Sequence, residues 1–110
     1  MRLAVVLTLV AVSTAPAHAL NCYENLGQTG CPHEEVFPRS DLRALSCQNL
    51  WTVRNGIYDG HGYCFKTEAA KQVFDNSDCT IDDPTALGFN TFEQRNIDNI
   101  RRVEKEKGCN

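Results

Sequence analysis

The chain has no long apolar run, no basic cluster, no internal repeat and no low-complexity tract. Its longest apolar stretch, Leu3 to Val12, is interrupted by Thr8 and falls well short of the ~20 residues a membrane-spanning helix needs. Without a run of Lys and Arg there is no positive track for a phosphate backbone, so nucleic acid is not expected as a partner. Without a repeat or a second apolar block, one small domain is the expected organisation. Metal motifs are also missing. Cys31, His33, His61 and Cys64 match no standard zinc spacing. Asp75-Asn76-Ser77-Asp78, followed by Asp82-Asp83, looks like a calcium loop at first sight. Counted from Asp75, however, Thr80 stands where the loop needs glycine and Cys79 holds a ligand position. A solvated acidic loop is expected there, with no metal and no cofactor.

What is present begins with Met1-Arg2, a short apolar core and the small-x-small exit Ala17-His18-Ala19. That is the pattern of a secretory signal peptide, expected over residues 1–19. Cys22 lies close behind the cut, but Asn21 rather than a small residue precedes it, so a soluble product without membrane insertion is expected rather than a lipoprotein. Losing Arg2 leaves ten basic and fourteen acidic side chains, a mildly acidic mature chain. All six cysteines lie after the cut. An even count in a small exported chain predicts three disulfides and an oxidising compartment, periplasmic or secreted. A chain this short buries a modest core and gains from such staples.

Residues 20–39 carry Gly27, Gly30, Pro32 and Pro38 among few apolar residues and predict an irregular arm, closed on itself by Cys22 and Cys31. Ser40 to Leu45 predicts one helical turn with Leu42 and Leu45 inward. The clearest helix runs from Ser46, a good N-cap, to Gly62, a good C-cap. Spaced about 100° apart, Leu50, Trp51, Val53, Ile57, Tyr58 and Cys64 fall on one half of its wheel. Gln48, Thr52, Asn55 and Asp59 fall on the other. Gly56 and Gly60, one turn apart, would let another backbone approach. A shorter helix starts at Thr67 with Ala70, Val73 and Phe74 inward, leading into a loop over residues 75–88. The last helix starts at Asn90 or Thr91, with Asn90 and Glu93 or Thr91 and Gln94 as a capping pair. Phe92, Asn96, Ile100 and Val103 form its stripe, flanked by Glu93, Ile97 and Glu104. Arg95, Asp98, Arg101, Arg102 and Lys105 face solvent.

The fold class is therefore all-α, a small disulfide-stapled bundle of about three helices with an irregular N-terminal arm. If the two long helices pack antiparallel, each roughly 25 Å long, Cys47 meets Cys109 and Cys64 meets Cys79. The expected pairing is Cys22–Cys31, Cys47–Cys109 and Cys64–Cys79.

Arg54-Asn55-Gly56-Ile57-Tyr58-Asp59-Gly60-His61-Gly62-Tyr63-Cys64-Phe65 resembles the YARHG domain, an extracellular domain found mainly in bacteria. That family reads Arg-Asn-x-Ile-Tyr-Ala-Arg-His-Gly-Tyr-x-Phe in outline. Leu42 and Leu45-Ser46 match its lead-in, and Phe74, Asn96-Ile97, Ile100 and Glu104 match its closing segment, so the resemblance spans about residues 40–109. The family's Ala-Arg is replaced by Asp59-Gly60, and the role of its arginine does not carry over. The resemblance implies a small exported accessory or binding domain without catalytic residues.

Arg54 and His61 are the polar residues inside the apolar arc of the first long helix. A buried guanidinium needs a partner, and Arg54 is expected to fork onto Glu104, or failing that Glu93, with Trp51 and Gly62 as further structural residues. His61 is expected to bond a backbone carbonyl near Gly62 at the helix end. The alternative makes Arg54, Tyr58 and His61 a shallow binding site for an anionic ligand such as a peptide or sugar-acid carboxylate. The leading expectation is a non-enzymatic interaction module that binds an envelope component or partner protein. One rival is a secreted inhibitor of a cell-wall or peptide hydrolase that presents the Cys22–Cys31 loop. The other is a small hydrolase using His61 with Asp59 or Glu104.

Overall fold

A computed structural model describes residues 21–110, and the signal segment expected over residues 1–19 lies outside the described residues. In chain order the elements are α1 (Arg39–Arg43), α2 (Cys47–Asp59), α3 (Glu68–Val73), a 3-10 turn (Pro84–Ala86) and α4 (Thr91–Glu106). Among the described residues the β-structure is limited to one isolated bridge between Tyr63 and Ile81, so the chain is all-α, as the sequence predicts.

Helix α2 begins where Ser46 Oγ accepts the Asn49 amide at 3.1 Å. Its regular part ends at Asp59, three residues before the predicted stop. The Tyr63 amide then donates to Tyr58 O at 3.3 Å and the Gly62 amide to Asp59 O at 3.0 Å, the paired bonds of a Schellman turn. Gly62 sits at φ 80°, where a Cβ would be strained, so this glycine terminates the helix. Helix α4 opens on a capping box. Asn90 Oδ1 accepts from the Glu93 amide at 2.9 Å and Glu93 Oε1 from the Asn90 amide at 3.0 Å.

The two long helices run antiparallel, because contacts along α2 descend along α4: Cys47–Cys109, then Arg54–Glu104, then His61–Glu93. All three disulfides pair as the sequence predicts, with Cα–Cα separations of 4.2, 5.5 and 5.0 Å in chain order. The core joins Leu42, Leu50, Val53 and Ile57 to Ile97, Ile100 and Val103, and it also takes in Leu26 and Phe37 from the arm. The arm is irregular, as predicted, yet it supplies core residues that no local pattern in the sequence reveals.

Two expected core positions are exposed. Val73 is 52% and Phe92 45% accessible. Helix α3 has six residues and its C-cap Phe74 is already extended, so helical periodicity is too short to define a face: Ala70 and Phe74 are buried while Val73 is left outside. The stripe of α4 is centred on Glu93, Ile97 and Ile100, one step round from the predicted centre, which leaves Phe92 at its edge in the first turn. Gly56 also differs from expectation, because a side chain rather than a backbone approaches it. A Cβ there would fall inside the Tyr23 hydroxyl's contact distance. Burial pushes that hydroxyl's pKa up to about 12, with Asp59's charge adding to the effect.

Asparagine holds the arm to α4. The fully buried Asn96 accepts the Phe37 amide at 2.8 Å and donates to Glu35 O at 2.8 Å and Pro32 O at 3.0 Å. Asn90 Nδ2 donates to His33 O at 3.0 Å. Within the arm, Glu35 accepts from the Gln28 amide at 2.9 Å and from the Thr29 amide and hydroxyl. The Thr29 hydroxyl first, then the amides, hold the Glu35 carboxyl below its ordinary value of 4.5. A group depressed in this way stabilises its loop fully above the unfolded pKa, and that contribution is lost as pH falls through the lower folded value. Protection of the Gln28 and Thr29 amides, relative to their intrinsic exchange rates, is therefore expected to be lost selectively as acid protonates Glu35. Glu35→Gln should show reduced protection of both amides already at neutral pH. Unchanged exchange in that variant would contradict this role.

Candidate functional site

Arg54 and Glu104 meet as the sequence predicts. Arg54 Nε donates to Oε1 at 2.7 Å and Nη2 to Oε2 at 3.1 Å. The fork matches the planar carboxylate, and the side chains are 21% and 15% exposed, so water screens the pair only in part. Arg54→Met should lower stability by about 2–3 kcal/mol, somewhat less than for a fully buried pair, because Glu104 keeps its desolvated charge. Adding Glu104→Leu should recover most of the loss. Urea midpoints of the single and double variants test this, and equal loss in both would contradict it.

His61 departs from expectation. Its Nε2–H donates to Glu93 Oε2 at 2.6 Å, and not to a backbone carbonyl near Gly62. Glu93 is 2% exposed and lies in the first turn of α4, where the helix dipole favours a carboxylate. Its other oxygen is held by the capping box. Both oxygens are thus satisfied, and Glu93 is not a second partner for Arg54.

Beside these pairs runs a continuous line of rings. Trp51 packs on Phe74 at 6.0 Å between centroids, Phe74 on Phe65 at 5.0 Å, and Phe65 on Tyr63 at 5.1 Å. Tyr63 meets Tyr58 at 5.6 Å, Tyr58 meets Phe89 at 5.0 Å, and Phe89 meets the His61 ring at 5.1 Å. These spacings fall in the favourable range for edge and offset ring contacts. Segment 63–65 is held against the loop by the Cys64–Cys79 disulfide and by Asn76, whose side chain brackets Phe65 at 2.9 and 2.8 Å.

The rings line an open groove of about 400 Å³ formed by Trp51, Tyr58, Tyr63 and Phe65 with Arg54, Lys66 and Arg101. A neighbouring hollow of about 430 Å³ shares Trp51 and Arg54 and reaches Val73 and the Cys47–Cys109 bridge. Arg101 Nη2 donates to the Tyr58 hydroxyl at 3.0 Å. Of the residues suggested for binding, Arg54 and Tyr58 line the groove. His61 does not: it lies at the far end of the ring line, committed to Glu93. Sequence reasoning missed Tyr63, Phe65, Lys66 and Arg101 as groove residues. For the aromatic pair a signal existed, since Tyr63 and Phe65 fall within the motif. For Arg101, exposed as predicted, nothing local indicates its bond to Tyr58, 43 residues away.

The acidic loop carries its own bonds. Asp75 accepts the Ser77 amide at 2.8 Å and Asp83 the Thr85 amide at 2.9 Å. Among the described residues no group of three or more His, Cys, Asp or Glu is placed to hold a metal ion, and no helix is long and apolar enough to cross a membrane.

No curated protein and no solved structure gives a significant match to the chain. The YARHG domain model, by contrast, matches residues 33–105, the lead-in from the arm through nearly all of α4. With well over half of its length matched, and with the motif residues building α2, its Schellman stop and the ring line, the chain belongs to the YARHG family of small extracellular or periplasmic domains.

Proposed function

We propose that this chain is an exported, non-enzymatic binding module that holds a component of the cell envelope in the aromatic groove beside α2. The observation that carries this reading is the convergence of three half-buried rings, Trp51, Tyr58 and Tyr63, backed by the buried Phe65, with Arg101 and Lys66 in one open groove. Rigid rings give a large contact area at small entropic cost, and cations at their margin supply direction. The polar groups a hydrolase would draw on serve the fold instead. His61 is held by Glu93, and Arg54 holds Glu104. The Cys22–Cys31 loop turns its amides inward onto Glu35, which suits an inhibitor's cleft-filling loop poorly. A periplasmic or secreted location accords with three disulfides and the family.

The test is retention from a detergent extract of envelope on the immobilised chain, compared with the double variant Lys66→Glu/Arg101→Glu. Both substitutions are on exposed side chains, so the melt should be preserved. A component held by the parent chain and released by the variant is expected. No retention, or equal retention by both, would contradict the proposal.

A further inference from the structure

We infer that the groove's ligand is an acidic saccharide, a pyranose ring bearing a carboxylate. This rests on the groove being the binding site proposed above.

The first ground is charge. Arg54 is neutralised by Glu104, but the partner of Arg101 is the neutral Tyr58 hydroxyl, and among the described residues Arg101 makes no ion pair. The phenol fixes one N–H of the guanidinium beside the groove and leaves the rest of the fork for an anion. A planar carboxylate matches that fork with two parallel hydrogen bonds. Lys66 adds a second positive charge. Its partner Asp82 has a side chain 81% exposed, so that pair is weak and exchangeable. The chain as a whole carries net charge −3, so this cationic margin is a local feature of an acidic molecule.

The second ground is shape. The groove is open and lined by ring surfaces rather than closed over a deep hole. Its volume of about 400 Å³ lies toward the small end of the roughly 300–1,000 Å³ of ligand sites. A pyranose can lay one apolar C–H face on a ring and keep its hydroxyls in water. A neutral sugar would leave the Arg101 donors without a charged acceptor.

The chain has a single tryptophan, Trp51, and it lies in the groove, so its fluorescence reports on occupancy. The full exported chain would be titrated with a digalacturonate, with the neutral galactose disaccharide, and with an acidic tripeptide of the same charge. A saturable change with the digalacturonate is expected, with the neutral disaccharide at least about tenfold weaker. A charge-assisted hydrogen bond of this kind corresponds to roughly tenfold to a hundredfold in affinity, so Arg101→Gln should erase the difference between the two sugars. Equal binding of both disaccharides by the parent chain would overturn the inference, as would a response to the tripeptide without one to the sugar. If no sugar binds while the envelope component is still released by Lys66→Glu/Arg101→Glu, the saccharide inference falls and the binding-module reading stands. If digalacturonate binds while no component is retained from extract, the saccharide inference stands and the envelope-binding reading falls.

Discussion

Asn96→Leu is expected to unfold the domain or to lower its melting midpoint by roughly 15–30 °C. The two side chains are close in size, so the loss comes from hydrogen bonding rather than from a cavity. Asn96 is fully buried and satisfies three backbone groups of the arm: the Phe37 amide and the carbonyls of Pro32 and Glu35. Each buried backbone group left without a partner costs about 1–3 kcal/mol, and the arm carries Leu26 and Phe37 into the core. A joint loss of about 3–5 kcal/mol approaches the total stability of many small domains. Each kcal/mol moves the midpoint of a domain this size by about 4–8 °C. Asn96→Asp preserves shape and one acceptor but aims a carboxylate oxygen at two carbonyls, so it should fare no better. A cooperative melt within a few degrees of the parent for Asn96→Leu would contradict the clamp.

Removing the Cys47–Cys109 bridge by double serine substitution should be the most damaging of the three disulfide deletions. Its ends are 62 residues apart, against 15 for Cys64–Cys79 and 9 for Cys22–Cys31. On the chain-entropy account the longest loop contributes about 4 kcal/mol and the middle one about 3. The bridge also closes the ends of α2 and α4, where Lys107 Nζ bonds Leu45 O at 2.6 Å and Arg43 O at 3.1 Å. Those bonds should persist and leave a foldable but weakened domain. Denaturant titration of the three double-serine variants checks the order, and a larger loss from the Cys22–Cys31 pair than from Cys47–Cys109 would contradict it.

The parts of this fold that could be read in advance are those written in short-range pattern. Ser46 and Asn90 cap their helices through residues three positions on, and Gly62 stops α2 through its own backbone, so local sequence suffices. Arg54 could be matched to Glu104 because a charge inside an apolar arc demands an opposite charge on the packed helix. The Cys47–Cys109 bridge could be read from helix length and direction, and Cys22–Cys31 from the turn-rich arm it closes. Features set by distant contacts were not legible. Asn96 reads as one polar residue in a stripe, and its partners lie 59 to 64 residues away. Leu26 and Phe37 belong to a segment without periodicity, and the His61 partner lies 32 residues away. Val73 was misplaced because a six-residue helix offers too few turns to define a face. The groove was half legible, since Arg54 and Tyr58 stood out on α2 while Lys66 and Arg101 approach from other parts of the chain.

The central claim is that the aromatic groove is the working surface of the domain. Hydrogen-exchange mass spectrometry of the chain, with and without solubilised envelope fragments, tests it most directly. Slower exchange confined to residues 51–67 and the Arg101 turn of α4, with the Cys22–Cys31 loop unchanged, is the result this account predicts. Protection of the Cys22–Cys31 loop with the groove unaltered, or no protection anywhere, would contradict it.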